Sequence, residues 1–213
     1  MSKGKFDRDY YENGVASGKS LYTNYRWLPE MTIKFAHKII RTLGINDGDT
    51  VLDFGCAKGY MVKALRILDV DSYGCDISEY AISNADSDVR DQCRLVNGDG
   101  SMPFNIKFKF VLCKDVLEHV EKKDLDLILE EMCKKADNLF AIVPLGKEGK
   151  YIIPAYHLDK THVIVEDKDW WETKFEEHNW RLRSFSYLIP GMKDSWAKYP
   201  KGNGFFILDK TRN

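Results

Sequence analysis

Short apolar runs alternate with stretches of helical periodicity along most of the chain, and this rhythm limits the possible folds more than any other feature. The runs are TVLDF (50–54), SYGCDI (72–77), CRLVN (93–97), FKFVLCK (108–114) and NLFAIV (138–143). The helical stretches are 59–69, 78–86, 121–135 and 167–178. Strand–helix–strand units form right-handed crossovers in a parallel sheet that is covered by helices on both faces. The pattern therefore predicts a doubly wound α/β fold.

Two more apolar runs follow, RLRSFSYLI (181–189) and GFFILDK (204–210), with only the loop 190–203 between them. Such a loop is too short for a comfortable helical crossover, so we expect the last strand to run antiparallel to its neighbour. The sequence thus predicts a Rossmann-like, seven-stranded, mostly parallel sheet with an antiparallel last strand and helices on both faces.

Charged side chains stand where several of these strands end. They are Asp53 after the first strand, Asp76 in the second, Asp99 just past the third, and the pair Lys114-Asp115 at the end of the fourth. Open α/β sheets bind their ligands at the carboxyl ends of the strands, near the point where the strand order reverses. We therefore expect these residues to line a ligand site.

The turn after the first strand reads GCAKG, in which Gly55 and Gly59 allow close backbone approach to a ligand. A dinucleotide site would show the pattern G-x-G-x-x-G, which is missing. Asp53 would also repel a phosphate, by about 4 kcal/mol at a separation of about 4 Å and an effective dielectric constant of about 20. The turn therefore favours a ligand that has cationic groups and no phosphate.

Four segments together resemble the class I S-adenosylmethionine-dependent methyltransferases: VLDFGCAKGY, YGCDIS, NGDGSMPF and FKFVLCKDVLEHV. The motifs are most similar to those of the small-molecule and sugar methyltransferases. The resemblance implies S-adenosylmethionine as the cofactor and S-adenosylhomocysteine as the product. Ala57 stands where the family more usually has glycine. The implied cofactor-binding residues are Asp53, Gly55, Cys56, Ala57, Gly59, Tyr60, Asp76, Ile77, Asp99, Gly100, Lys114 and Asp115.

The three acids at strand ends match different parts of this cofactor. Asp53 would favour the amino-acid end, Asp76 would accept hydrogen bonds from the ribose hydroxyls, and Asp99 would accept one from the adenine amino group. Backbone N–H groups of the glycine turn would bind the carboxylate of the methionine moiety.

The segment KDVLEHV supplies candidates for the acceptor side. If a helical turn follows Asp115, then Asp115, Glu118 and His119 lie on one face. We predict Asp115, His119 and His162 as catalytic residues, with His119 as the base or the group that orients the acceptor. The competing interpretation of His119 is a histidine that only hydrogen-bonds the backbone. His157 is a further candidate in the same region as His162.

The acceptor that the resemblance implies is a small molecule, and we expect a hydroxyl of a sugar or a related metabolite. Two alternatives stay open. One is a methyltransferase-like domain that binds a cofactor or a partner without catalysis. The other is a metal-assisted RNA 2′-O-methyltransferase, because Asp115, Glu118, His119 and a later histidine resemble the pattern of enzymes that modify the 3′ ends of small RNAs. Similar LEHV segments are frequent in methyltransferases without metal, so we expect no metal.

Composition restricts the partners and the compartment. The formal net charge of −1 gives no overall basic field, which argues against nucleic acid as a partner. The five cysteines form no C-x-x-C pair, as expected for free thiols in a reducing compartment. Since we also find no apolar run long enough for a membrane span, we expect a cytoplasmic protein. The sequence leaves the oligomeric state open.

The N-terminal part differs from the rest. We divide the chain into residues 1–44, a segment and helix that cap the cofactor site, and residues 45–213, the methyltransferase domain. On family analogy Tyr22, Tyr25 and Arg26 close over the cofactor, and Trp196 is a candidate lid residue. The stretch NGVASGKS (13–20) lacks the first glycine of a phosphate-binding loop, so we expect a flexible loop with a solvated Lys19.

Overall fold

A computed structural model describes residues 4–97 and 99–211, and within them a seven-stranded sheet forms the centre of the molecule. The strands are β1 (Thr50–Phe54), β2 (Asp71–Asp76), β3 (Cys93–Leu95), β4 (Phe108–Lys114), β5 (Ala136–Pro144), β6 (Gly146–Lys147), β7 (Lys150–Tyr151), β8 (Trp180–Ser186) and β9 (Asn203–Lys210). The sheet order is β3-β2-β1-β4-β5-β9-β8, and β6 and β7 form a separate hairpin. This hairpin was not predicted.

The strand directions confirm the predicted topology. Strands β1 to β5 pair in parallel, whereas β9 lies between β5 and β8 and is antiparallel to both. The strand order reverses between β1 and β4, so the carboxyl ends of these two strands border the expected ligand crevice.

The helices are α1 (Arg8–Glu12), α2 (Gly14–Ser17), α3 (Pro29–Leu43), α4 (Tyr60–Ile67), α5 (Glu79–Ser83), α6 (Lys122–Lys135) and α7 (Lys168–Glu177). Helix α3 begins at a proline, whose fixed φ suits a first helical turn, and it ends at Gly44 with φ 68°. Helix α5 is shorter than the predicted 78–86, because the chain turns back and the Asp86 N–H donates to the Lys58 carbonyl at 3.0 Å.

Two hydrophobic cores cover the two faces of the sheet, which explains why the strand sequences are apolar throughout. In β4, Val111 and Cys113 join the core beneath α6 and α7, whereas Phe110 and Leu112 join the core beneath α3 and α4. Strands β5 and β9 alternate in the same way. A strand that is buried on both faces lacks polar alternation, and the prediction of helices on both faces is confirmed.

The N-terminal segment is more ordered than the sequence indicated. Part of the predicted flexible loop 13–20 forms α2, and the Ser20 hydroxyl donates to the Tyr10 carbonyl at 2.6 Å. The side chain of Lys19 is 39% exposed, and its Nζ forms an ion pair with Asp7 at 2.6 Å. Within the described ranges, no helix is both long and apolar enough to cross a membrane.

Candidate functional site

The turn between β1 and α4 has the tight geometry that its glycines allow. Gly55 and Gly59 have φ values of 81° and 78°, and Ala57 also has a positive φ of 49°. A Cβ on Gly55 would lie 2.4 Å from Cγ2 of Val116, so only glycine fits there. The N–H groups of Gly55 and Cys56 donate to the Cys75 carbonyl and thereby fix the turn to β2.

Asp76 organises the same turn from the end of β2. One carboxylate oxygen accepts from the Ala57 N–H and the other from the Ser78 N–H, both at 2.8 Å. Burial raises the pKa of this carboxyl, while these hydrogen bonds act in the opposite direction. Since each carboxylate oxygen has two lone pairs, capacity remains on both for the hydroxyl groups of a ligand.

Asp53 is buried at the end of β1. Its relative exposure is 7%, and it lines the same cavity as Asp76. Burial, together with the charge of Asp76, raises the pKa of Asp53 to about 7, although the charge of Lys114 opposes the rise. A cationic ligand group at this position would therefore stabilise the ionised carboxylate.

The predicted adenine-binding residues lie elsewhere. Asp99 is exposed, and one of its oxygens accepts from the backbone N–H and the hydroxyl of Ser101 at 2.9 and 2.7 Å. These hydrogen bonds lower the pKa of Asp99. Neither Asp99 nor Gly100 lines the cavity, so their role in binding adenine stays a prediction without support from the geometry.

Lys114 and Asp115 form part of a charge network after β4. Asp115 has a φ of 55°, and its carboxylate pairs with Lys114 at 2.6 Å and with Lys193 through a short contact. Burial opposes ionisation of Asp115, but the charges of the two lysines hold its pKa well below the usual range. Lys193 also donates to Asn203 Oδ1 at 2.9 Å. Asp115 is therefore ionised, and its carboxylate is already paired with the two lysines.

Glu118 and His119 follow in a short 3₁₀ turn, Leu117–His119, which replaces the α-helical turn considered from the sequence. Both residues line the cavity together with Asp115, as predicted for one face. Glu118 is 1% exposed, and burial raises the pKa of its carboxyl well above the usual value.

A hydrogen-bond chain orients His119. The Thr161 hydroxyl donates to Asp159 Oδ1 at 2.5 Å, and the same hydroxyl oxygen lies 2.7 Å from His119 Nδ1. Because the hydroxyl hydrogen is directed at Asp159, Nδ1 carries a hydrogen and donates it to Thr161. The lone pair of the neutral ring then lies on Nε2. Burial, with the nearby His162, lowers the pKa of His119 to about 4.

His162 lies beside these residues, whereas His157 does not. The ring of His162 is 4.6 Å from that of His119, and its Nε2 is 4.0 Å from Glu118 Oε1. Burial lowers the pKa of His162. His157 accepts the Tyr151 N–H at 3.0 Å and is absent from the cavity wall, so its part is structural.

A cavity of about 830 Å³ joins the glycine turn to the histidines. Among the predicted site residues, it is lined by Asp53, Gly55, Cys56, Ala57, Tyr60, Asp76, Ile77, Lys114, Asp115, His119 and His162. The volume falls in the range of about 300 to 1,000 Å³ that is typical of small-molecule sites.

The N-terminal segment forms one wall of this cavity, which is called the roof. Tyr22, Tyr25 and Arg26 belong to this wall. Trp196, from a 3₁₀ turn near β9, also lines the cavity. Lys58, in the glycine turn, fastens the roof: its Nζ donates to a Glu12 carboxylate oxygen at 2.5 Å and to the Tyr25 carbonyl at 3.0 Å.

Sequence reasoning missed several residues at the site. Lys193 lies 78 positions from its partner Asp115, and Thr161 lies 42 positions from His119. Asp159 was also missed, although the spacing D-x-T is typical of an aspartate that accepts from a nearby backbone N–H. No local pattern connects Lys193 with Asp115.

Residues 52–136 match the family model of a methyltransferase domain. This part of the chain is therefore similar to methyltransferase domains. The match spans the glycine turn, both buried strand-end acids, and the segment with Glu118 and His119. No curated protein matches the sequence of the chain significantly.

Solved structures share the fold of this chain at low sequence identity. One is the methyltransferase in a complex with the Haloferax volcanii Trm112 methyltransferase activator, with 15% identity, a TM-score of 0.65 and coverage of 86% of this chain and 91% of that chain. A second is an S-adenosylmethionine-dependent methyltransferase from Clostridium acetobutylicum, with 12% identity, a TM-score of 0.62 and coverage of 84% and 92%. These matches confirm the class I methyltransferase fold.

A third match is the mitomycin 7-O-methyltransferase, with 13% identity and a TM-score of 0.62. The present chain aligns over 86% of its own length but over only 54% of that larger chain. The shared part is therefore about half of the mitomycin enzyme.

Proposed function

We propose that the protein transfers a methyl group from S-adenosylmethionine to a hydroxyl group of a small molecule, a sugar or a related metabolite. The observation that supports this most directly is the single cavity that unites two groups of residues. Asp53 and Asp76, at the ends of β1 and β2, line it together with Glu118, His119 and His162. A methyl donor and an acceptor bound in one such cavity are held next to each other.

The donor set fits the chemistry of S-adenosylmethionine. Asp53 would lie at the cationic amino-acid end, where a positive charge offsets the cost of ionising a buried carboxylate. Asp76 would accept from the ribose hydroxyls with the lone pairs that Ala57 and Ser78 leave free. The cofactor brings a methyl group that its sulfonium already activates.

The residues of this chain would mainly position the two reactants and accept a proton. Correct alignment of reacting groups contributes about 7 to 11 kcal/mol to such reactions. The acceptor hydroxyl must lose its proton as its oxygen bonds to the methyl carbon, and His119 Nε2 offers a lone pair for that proton. Thr161 and Asp159 would hold the ring in the required tautomer.

The position of the roof is evidence for a small acceptor and for the proposed division of the chain into a cap and a domain. Residues 1–44 would act as the cap, because side chains from the N-terminal segment and from α3 line the cavity. The domain 45–213 would hold the cofactor. The five cysteines are free and buried, in line with the proposed cytoplasmic location.

A second candidate is methylation of an RNA 2′-hydroxyl with the help of a metal. The close grouping of Glu118, His119 and His162 favours it. Asp115 argues against this candidate, because its carboxylate is already paired with Lys114 and Lys193. A domain that binds the cofactor without catalysis is the third alternative.

The test has two stages. S-adenosylhomocysteine should raise the melting temperature of the protein, whereas NAD and ATP should not. A methyl-labelled cofactor should then label one class among sugars, nucleotide-sugars, phenols and RNA. The absence of any shift at saturating S-adenosylhomocysteine would refute the cofactor assignment. A shift without labelling of any acceptor would support the non-catalytic alternative.

Variants separate the two sides of the cavity. Asp76→Ala should weaken S-adenosylhomocysteine binding, while His119→Ala should bind it normally and lose turnover. His37→Ala is the matched control, because His37 is an exposed histidine on α3. Full turnover of His119→Ala would refute the proton-accepting role of His119.

A further inference from the structure

An apolar slot extends the cavity beyond Asp76, at the carboxyl ends of β2, β3 and β4. Ile77, Val96, Val116 and Val120 line the cavity there. Val96 follows β3, and its N–H donates to the Asp76 carbonyl at 2.9 Å. Val96 and Val120 are also members of the hydrophobic core, against which Val116 packs. The slot therefore begins at the acid that would bind the ribose, and the core holds its walls in place.

Phe6, from the N-terminal roof, lies across this slot. Its carbonyl accepts from the Ser78 hydroxyl at 2.6 Å, just after the end of β2. Its ring centroid is 5.5 Å from that of His119, after the end of β4, in an edge-to-face arrangement. Phe6 also lines the cavity. A flat ligand group in the slot would therefore lie against an aromatic ring.

An ion pair stands at the rim of the slot. Lys5 Nζ lies 2.8 Å from Glu121 Oε1, and both residues line the cavity. Lys5 directly precedes Phe6, and Glu121 directly follows Val120. The hydrogen bond from Lys5 lowers the pKa of Glu121, so the carboxylate is ionised at neutral pH. Since an ammonium group has three N–H donors and a carboxylate has about four lone-pair sites, both groups can also bind a ligand.

The ligand group that suits this slot has flat apolar faces, and it has a hydrogen-bond donor beside an acceptor on one edge. Adenine has both properties, because its amino group donates and the neighbouring ring nitrogen accepts. Glu121 would accept from the amino group, and Lys5 would donate to the ring nitrogen. Aromatic side chains bind the faces of nucleobases by stacking, which is the contact that Phe6 would supply.

We propose that Phe6 covers the adenine ring of S-adenosylmethionine and that the Lys5–Glu121 pair recognises the amino edge of this ring. The inference deepens the proposed function and rests on it for the identity of the cofactor. It assigns adenine to residues other than Asp99 and Gly100, which do not line the cavity, whereas Lys5, Phe6 and Glu121 do.

Two of the three residues, Lys5 and Phe6, belong to the N-terminal segment. They lie outside residues 52–136, the part of the chain that matches the methyltransferase family model. The segment would therefore contribute to the choice of cofactor as well as cover the cavity. His119 keeps the lone pair on Nε2 that the proposed function requires, because the adenine site uses none of its ring nitrogens.

The first experiment measures which base the slot accepts, without turnover. The full chain is titrated by calorimetry with S-adenosylhomocysteine and with S-inosylhomocysteine. In the second compound a carbonyl oxygen replaces the amino group, so it cannot donate to Glu121. The wild type should bind S-adenosylhomocysteine at least about tenfold more tightly. Equal affinities of the wild type for the two compounds would overturn the proposal.

The second experiment repeats both titrations with variants of the ion pair. Glu121→Gln should lose most of the preference, because its amide group can donate to the carbonyl oxygen of the inosine compound. Asp137→Asn is the matched control and should keep the preference, since Asp137 pairs with Lys107 at 2.8 Å but does not line this cavity. An unchanged preference in Glu121→Gln would overturn the proposal. A loss of preference in Asp99→Asn instead would also overturn it.

Phe6→Ala tests the aromatic cover separately. Stacking on the face of a base does not depend on the amino group, so this variant should bind both compounds about fivefold or more weakly and keep the preference. The melting temperature of each variant without ligand shows that it is folded. Wild-type affinity of Phe6→Ala for both compounds would refute the position of adenine in the slot.

The same measurements keep this proposal apart from the broader one. If the wild type binds S-adenosylhomocysteine and all variants bind both compounds as it does, the adenine site is refuted and the cofactor assignment stands. If the wild type does not bind S-adenosylhomocysteine, both are refuted. The expected discrimination between the two compounds, without methylation of any acceptor, supports the adenine site and refutes the proposed activity.

Discussion

Replacement of Asp53 by asparagine should stabilise the protein while weakening its affinity for the cofactor. A rise in pKa from 3.8 to about 7 corresponds, at about 1.4 kcal/mol for each pH unit, to about 4 kcal/mol. This is the cost of keeping the buried carboxylate ionised in the free protein above pH 7. Asparagine is neutral at every pH and has nearly the same shape, so it does not bear that cost.

The sign of the effect follows from the proton balance of Asp53. Near pH 3 the carboxyl is protonated in both the folded and the unfolded chain, so the two proteins have similar stability. Between about pH 4 and pH 7 the unfolded chain releases the proton and the folded chain retains it, so the wild type loses stability relative to Asp53→Asn. Above about pH 7 the difference is constant.

The assay is urea denaturation of both proteins between pH 4 and pH 8. Other titrating groups are common to both proteins and cancel in the difference between their free energies of unfolding. That difference should grow to about 4 kcal/mol in favour of Asp53→Asn by pH 8. Asp99→Asn is the matched control, and its effect should have the opposite sign because hydrogen bonds from Ser101 lower the pKa of Asp99.

Cofactor binding supplies the second half of this prediction. At pH 6, binding of S-adenosylmethionine should release up to one proton from the wild type and none from Asp53→Asn, which calorimetry in two buffers measures. A stability difference that is independent of pH, or equal proton release in both proteins, would refute the burial argument.

Three further changes test other parts of the site. Gly55→Ala should cost more stability than Gly149→Ala in thermal denaturation, since both have positive φ but only the first would place a Cβ against a valine side chain. Equal losses would contradict the predicted clash. Thr161→Val should lower turnover by about 10- to 100-fold with unchanged S-adenosylhomocysteine affinity, because His119 loses its hydrogen-bond acceptor. Unchanged turnover would show that this bond is dispensable. Lys58→Met should speed hydrogen exchange in the N-terminal roof, since it removes hydrogen bonds worth about 1.5 to 3 kcal/mol each. Unaltered exchange there would mean that other contacts hold the roof.

The fold was predictable from local sequence, because a strand that is buried on both faces consists almost entirely of apolar residues. Residues 108–114 are apolar almost throughout, and the structure confirms a strand with the same bounds, Phe108–Lys114. The short connection 190–203 likewise indicated the antiparallel β9. The ends of the helices were less certain: α5 ends at Ser83, whereas the sequence predicted a helical stretch as far as residue 86.

The site was only partly predictable, because several of its contacts join residues that are distant in the sequence. Asp53 and Asp76 stand at strand ends, where the topology alone directs them to the crevice. The partners of Asp115 and His119 arrive from distant parts of the chain, and no periodicity encodes contacts between a loop at 193 or 161 and the end of β4. Asp99 also follows a strand end, but it is exposed, and one of its oxygens accepts hydrogen bonds from Ser101.

The place of β9 in the sheet has a consequence for synthesis of the protein. Residues Asn203–Lys210 pair with β5 on one side and with β8 on the other, so these earlier strands share no direct hydrogen bonds. A chain synthesised only as far as residue 202 presents β5 as an open, apolar edge, which is the kind of edge that promotes aggregation. Completion of the sheet must therefore wait until β9 leaves the ribosome. Until then, protection of the nascent chain by a chaperone would matter most at β5.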